Sequence, residues 1–71
     1  MTKNYYEQKI LSILRPYRIG KFDYYEIKER LMVLEEMIHE DYSLSPVTRV
    51  NLEAKCYEHR QRIRKEFFKK K

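Results

Sequence analysis

From Asp23 to Tyr42 the apolar residues Tyr24, Ile27, Leu31, Leu34, Ile38 and Tyr42 follow one another at steps of three or four. Side chains so spaced stack one turn above another and form a narrow stripe along an α-helix. Asp23 stands where an N-cap is needed, and Glu26 three residues later completes a capping box of the form D-x-x-E. The pattern predicts a helix over 23–42 around which the remaining chain packs.

Composition narrows what that packing can be. With one glycine, two prolines and 38% charged residues, the chain lacks the turn residues that sheet topologies need. A length of 71 residues makes one domain, 1–71, and the fold class is all-α. A core of this size rarely supplies more than ~3–5 kcal/mol, so association with a partner is a natural source of further stability.

A first helix is predicted over 4–15. Asn4 and Glu7 repeat the capping-box spacing, and Tyr6, Ile10, Ile13 and Leu14 share one face. Pro16 has no amide hydrogen and disfavours a helical Arg15, so the helix is expected to stop there. An irregular linker, Arg15 to Phe22, follows, with Gly20 as its one residue free to take positive φ. On the central helix, Val33 and Met37 on one flank, and Tyr25 and Met32 on another, imply more than one packing neighbour.

Ser45 followed by Pro46 reads as an N-cap and first helical residue, opening a third helix over 46–68. The short connection makes helices two and three an antiparallel hairpin, with the short first helix laid across it. Helix three carries two apolar stripes. Val47, Val50, Ala54, Tyr57 and Phe68 are expected to face helix two, pairing Ile38 with Val50, Leu34 with Ala54 and Leu31 with Tyr57. Leu52, Cys56, Ile63 and Phe67 lie roughly opposite and await helix one or a second molecule. That surplus predicts a homodimer.

Charge is unevenly spread: +3 over 1–19, −4 over 20–45 and +6 over 46–71. The basic last third is expected to fold back on the acidic middle, with Lys69, Lys70 and Lys71 as a solvated tail. No apolar run approaches the ~18 residues of a membrane span. Met-Thr-Lys-Asn-Tyr-Tyr lacks the apolar core of a signal peptide, and a single cysteine suits a reducing compartment, so a cytoplasmic location is expected.

Catalytic chemistry finds little footing. Cys56 and His59 are one turn apart, but His39 is the only other histidine and lies near the opposite end of the hairpin, so no metal site is expected. The same pair lacks an orienting third group for nucleophilic catalysis. Glu35-Glu36 and Glu40-Asp41 point ~100° apart on a helix and do not share a proton. A single glycine rules out a Gly-rich phosphate loop. The expectation is a protein without catalytic residues, cofactor or small-molecule substrate.

Two binding readings remain. Seven tyrosines exceed what so small a core can hold, and Tyr with Arg is typical of protein interfaces. Tyr5, Arg15, Tyr17, Arg18 and Tyr25 are the candidate contacts for a partner protein. The alternative is nucleic acid on the basic third helix, with Lys55, Arg60, Arg62, Lys65, Lys69 and the terminal lysines neutralising phosphates. In composition, very small, Lys/Glu/Tyr-rich and helical, the chain resembles the accessory regulators and inhibitors carried by phages and mobile elements of Gram-positive bacteria. No binding residue is carried over from that likeness.

Overall fold

A computed structural model of the chain describes residues 2–20 and 23–69. It contains three helices, α1 (Lys3–Arg18), α2 (Tyr24–His39) and α3 (Pro46–Lys69), and no strand among the described residues. The α2–α3 hairpin is the most extensive pairing, and α1 lies against both partners, more closely against α2.

Each helix begins where a side chain satisfies a free amide, though not always the one predicted. Asp23 Oδ1 accepts from the Glu26 amide at 2.9 Å, and Ser45 Oγ accepts from the Thr48 amide at 3.2 Å. The Glu26 carboxylate does not close the box; it accepts from Arg30 on the next turn at 3.2 Å. For α1 the cap is Thr2, whose hydroxyl accepts from the Tyr5 amide at 3.2 Å, so Asn4 is already helical and no Asn4–Glu7 box forms.

Pro16 does not end α1. Its ring removes the bond that the Ser12 carbonyl would receive and crowds that carbonyl, a cost confined to the last turn. The last turn is held by Leu14, which is buried, and Tyr17, which packs on the core. The first half of the expected linker, Arg15 to Arg18, is therefore helix. The chain leaves it through Gly20 at φ 74°, the one positive φ among the described residues. Lys21 and Phe22 lie outside those residues.

At its other end α2 stops at His39, short of Tyr42. The Asp41 carboxylate accepts from the Ser43 amide at 3.0 Å and from the Tyr6 hydroxyl at 2.5 Å. The local Ser43 bond competes with helix continuation, as Asp side chains do in turns, and the Tyr6 bond ties Asp41 to α1. Tyr42 is thrown outward, 80% exposed, with the Arg49 guanidinium 4.9 Å from its ring centre. Leu44 closes the core in its place.

The core is one cluster along the axis of the bundle. Tyr6, Ile10 and Leu14 come from α1, and Tyr24, Ile27, Leu31, Leu34 and Ile38 from α2. From α3 come Leu52, Cys56 and Ile63, with Phe67 partly buried beside them. The face of α3 is thus the reverse of the expected one. Val47, Val50, Tyr57 and Phe68 are exposed, as is Ala54, so the pairings of Leu34 with Ala54, Ile38 with Val50 and Leu31 with Tyr57 do not form. In a three-helix bundle a single stripe of α3 meets α1 and α2 together, and Leu52–Cys56–Ile63 serves both. The stripe expected to await helix one or a second molecule is covered within the chain. The flanks of α2 likewise remain outside: Tyr25, Met32, Val33 and Met37 are all exposed.

The bond joining α1 to the α2–α3 turn carries a pH signature. Ser43 and then Tyr6 hold the Asp41 carboxyl well below the usual carboxylate range. Burial, and then that same bond, pushes the Tyr6 hydroxyl up to about 12. Stability from Asp41 is present above the ordinary carboxylate value of ~3.9 and is lost as pH falls below it. Stability from Tyr6 is present below the ordinary phenol value of ~10 and is lost as pH rises from there. Urea melts across pH are expected to show a neutral plateau with both limbs. Tyr6→Phe should lower the plateau and flatten both limbs, and limbs that persist unchanged in the variant would exclude this bond as their source.

Candidate interaction surfaces

Three faces lie between the helices, and each sorts differently in chemistry. The α1–α2 face holds a shallow hollow of about 460 Å³ that includes Lys9, Ile13, Arg30, Val33 and Met37. Its charges are of both signs and on solvated side chains, and no nucleophile stands among them.

The α1–α3 face carries the surplus of positive charge. By ~100° per residue, Lys55, Arg62 and Lys69 fall on one line of α3 beside α1. Lys55 is drawn to Glu7 of α1 at 3.7 Å. His59 is half-buried there, and its pKa is lowered first by burial and then by the charges of Arg62, Arg18 and Lys55. One turn before it, Cys56 is fully buried, and burial pushes the thiol up to about 12, which leaves it protonated and unreactive at neutral pH. Among the described residues no group of three or more His, Cys, Asp or Glu side chains is placed to hold a metal ion.

The expected nucleic-acid strip is not continuous. Arg60 sits roughly 160° around α3 from Arg62 and faces α2 instead. There its guanidinium pairs with the Glu35 carboxylate at 3.1 Å, both side chains less than one-fifth exposed, and covers the Tyr57 ring at 5.4 Å. Arg62, Lys65 and Lys69 are exposed. Of the five basic residues named from the sequence, two are thus engaged within the fold.

The expected tyrosine–arginine contacts are dispersed as well. Tyr5 is half-buried at the start of α1, edge-on to Tyr6 at 5.3 Å, near the α2–α3 turn. Tyr17 lies twelve residues on, ~18 Å along the helix by its rise of 1.5 Å per residue. Tyr17 and Arg18 border a hollow with Asp23, Tyr24, Glu66 and Phe67 at the opposite end of the molecule. Tyr25 is exposed at that same end, 5.6 Å from Phe67. Arg15 is exposed on α1. Only Tyr17, Arg18 and Tyr25 share a neighbourhood.

What brings them there is an aromatic cluster that pattern reading overlooked. Tyr24 stacks on Phe67 with centroids 5.3 Å apart, Phe68 stands 5.9 Å from Tyr24, and the Arg64 guanidinium lies 5.8 Å from Phe68. The signal was available: in an antiparallel hairpin, the Tyr24-Tyr25 doublet opening α2 must meet the Phe67-Phe68 doublet closing α3.

The α2–α3 face was also missed, and it is the most differentiated. Val50, Tyr57 and Phe68 form a line along α3, with Met32 and Tyr25 across the seam on α2, all exposed. Near the turn, Met32, Glu35, Glu36, His39, Glu40 and Glu53 surround a hollow of about 430 Å³. His39 Nδ1 meets Glu53 there at 3.0 Å. Toward the open end, Tyr25, Lys28, Glu29 and Met32 border the next hollow.

Fold and surfaces together define a small all-α, three-helix domain. No helix among its described residues is long and apolar enough to cross a membrane. Compared with protein-family models, characterised proteins and solved structures, the chain finds no match.

Proposed function

We propose that this chain is a small non-enzymatic interaction module, of regulator, inhibitor or adaptor type, that binds a protein through its α2–α3 face. One observation supports this above the others: the core is complete, yet Val50 and Tyr57 remain 62% and 53% exposed in line with Phe68. Aromatic and aliphatic side chains grouped on one face, with charges around them, are the usual composition of a protein-binding surface. The contacts shift accordingly from the dispersed Tyr5, Arg15, Tyr17 and Arg18 to Tyr25, Met32, Val50, Tyr57 and Phe68.

The polyanion reading narrows to Arg62, Lys65 and Lys69. Three phosphate contacts would lose about 40-fold in affinity between 50 and 200 mM salt, whereas an apolar protein interface would be far less sensitive. The test is capture from nuclease-treated native lysate, with Val50→Glu plus Tyr57→Glu as the control. A discrete protein retained by the wild type and lost by the double variant is the expected result. Recovery of nucleic acid alone from untreated lysate, abolished by Arg62→Ala with Lys65→Ala, would overturn the reading.

A further inference from the structure

Resting on the protein-binding reading of the α2–α3 face, we propose that its occupant is a second copy of this chain. The two molecules are related by a twofold axis beside Met32 and Tyr57, which sets each acidic end against the other's basic end.

The charge layout of the face carries this inference. In the half nearer the turn stand Glu36, Glu40 and Glu53, opposed on that side by Arg49, which is turned onto Tyr42 and the His39 carbonyl. In the open half stand Lys28 on α2 and Arg64, over the Phe68 ring, on α3, opposed by Glu29. The middle is neutral: Met32, Tyr57, and the Glu35–Arg60 pair closed on itself at 3.1 Å. A face that is negative at one end, positive at the other and apolar between is complementary to itself under a twofold rotation. A parallel arrangement would set like charges together and is repelled. A nucleic acid would meet the acidic hollow as readily as the basic end.

Size is compatible. A standard interface takes ~800 Å² from each partner, about 15% of the 5317 Å² that the chain exposes. The molecule is 41 Å long against 18 and 14 Å in the other directions, so a strip along one long face suffices.

Sedimentation equilibrium of the intact chain at micromolar concentration is expected to give twice the 8.9 kDa chain mass. Glu36→Lys with Glu40→Lys makes both ends positive, and Lys28→Glu with Arg64→Glu makes both negative. Each doubly substituted protein should keep its helical circular dichroism and raise the dimer Kd by roughly 100-fold. Mixed together, they should restore a heterodimer of near wild-type affinity, because attraction returns at both ends. Should either charge variant lose its helicity, Met32→Glu alone provides a second route to dissociation. A wild type that sediments as a single chain would overturn the proposal, as would a dimer retained by every variant or charge variants that do not pair on mixing. A monomer that still captures a protein through Tyr57 would leave the interaction reading standing without this occupant.

Discussion

Leu52→Ala is expected to cost ~2–5 kcal/mol, while Val50→Ala, two residues away on the same helix, should stay within ~0.5 kcal/mol. Leu52 is 0% exposed, where α3 meets α1 and α2 together, and truncation removes its contacts with both. The surrounding rings and aliphatic chains are fixed on three helices and can close the cavity only in part, which adds to the transfer term. A domain of this length has a net stability on the order of 3–5 kcal/mol, so the variant should be largely unfolded at room temperature. Leu31→Ala and Leu34→Ala belong to the same class, both residues being buried on the facing stripe of α2. Urea melts followed by circular dichroism decide the matter. If Val50→Ala were the damaging change and Leu52→Ala the silent one, α3 would be rotated from the orientation described.

Arg60→Ala should destabilise the fold by about 1–3 kcal/mol, unusual for a basic residue on a surface helix. The Glu35 and Arg60 side chains are only 18% and 19% exposed, so removal of the cation leaves a carboxylate in a partly dehydrated seam. Glu35→Ala should cost a similar amount by stranding the guanidinium. Replacing both by methionine should recover most of the loss, since the seam then holds no unpaired charge. A double-mutant cycle by thermal denaturation measures this, and additive losses would show that the two charges do not interact. It follows that Arg60 is a poor probe of nucleic-acid binding, because its loss weakens the fold that would present the other cations. Arg62 and Lys65 test that question cleanly.

Much of this architecture could be read along the chain. The Tyr24–Ile27–Leu31–Leu34–Ile38 stripe is the buried face of α2, Asp23 and Ser45 cap the helices they were expected to cap, and Tyr6–Ile10–Leu14 seats α1. Each of these depends on spacing or on hydrogen bonds within three or four residues, which local sequence controls directly.

Three features were settled only by tertiary structure. The Pro16 penalty could be judged only against the packing of Leu14 and Tyr17 beyond it, and the end of α2 only against a bond from Tyr6, thirty-five residues before Asp41. The third was which stripe of α3 turns inward. Both stripes have helical spacing, and periodicity records that a face is apolar without recording what lies opposite. Bringing α1 and α2 against one side of α3 selected Leu52, Cys56 and Ile63 for the core. The same choice left Val50, Tyr57 and Phe68 in solvent and separated Arg60 from Arg62, so the candidate binding surface is a product of helix rotation. Rotation is set by the packing of all three helices at once, a constraint no local window of residues contains.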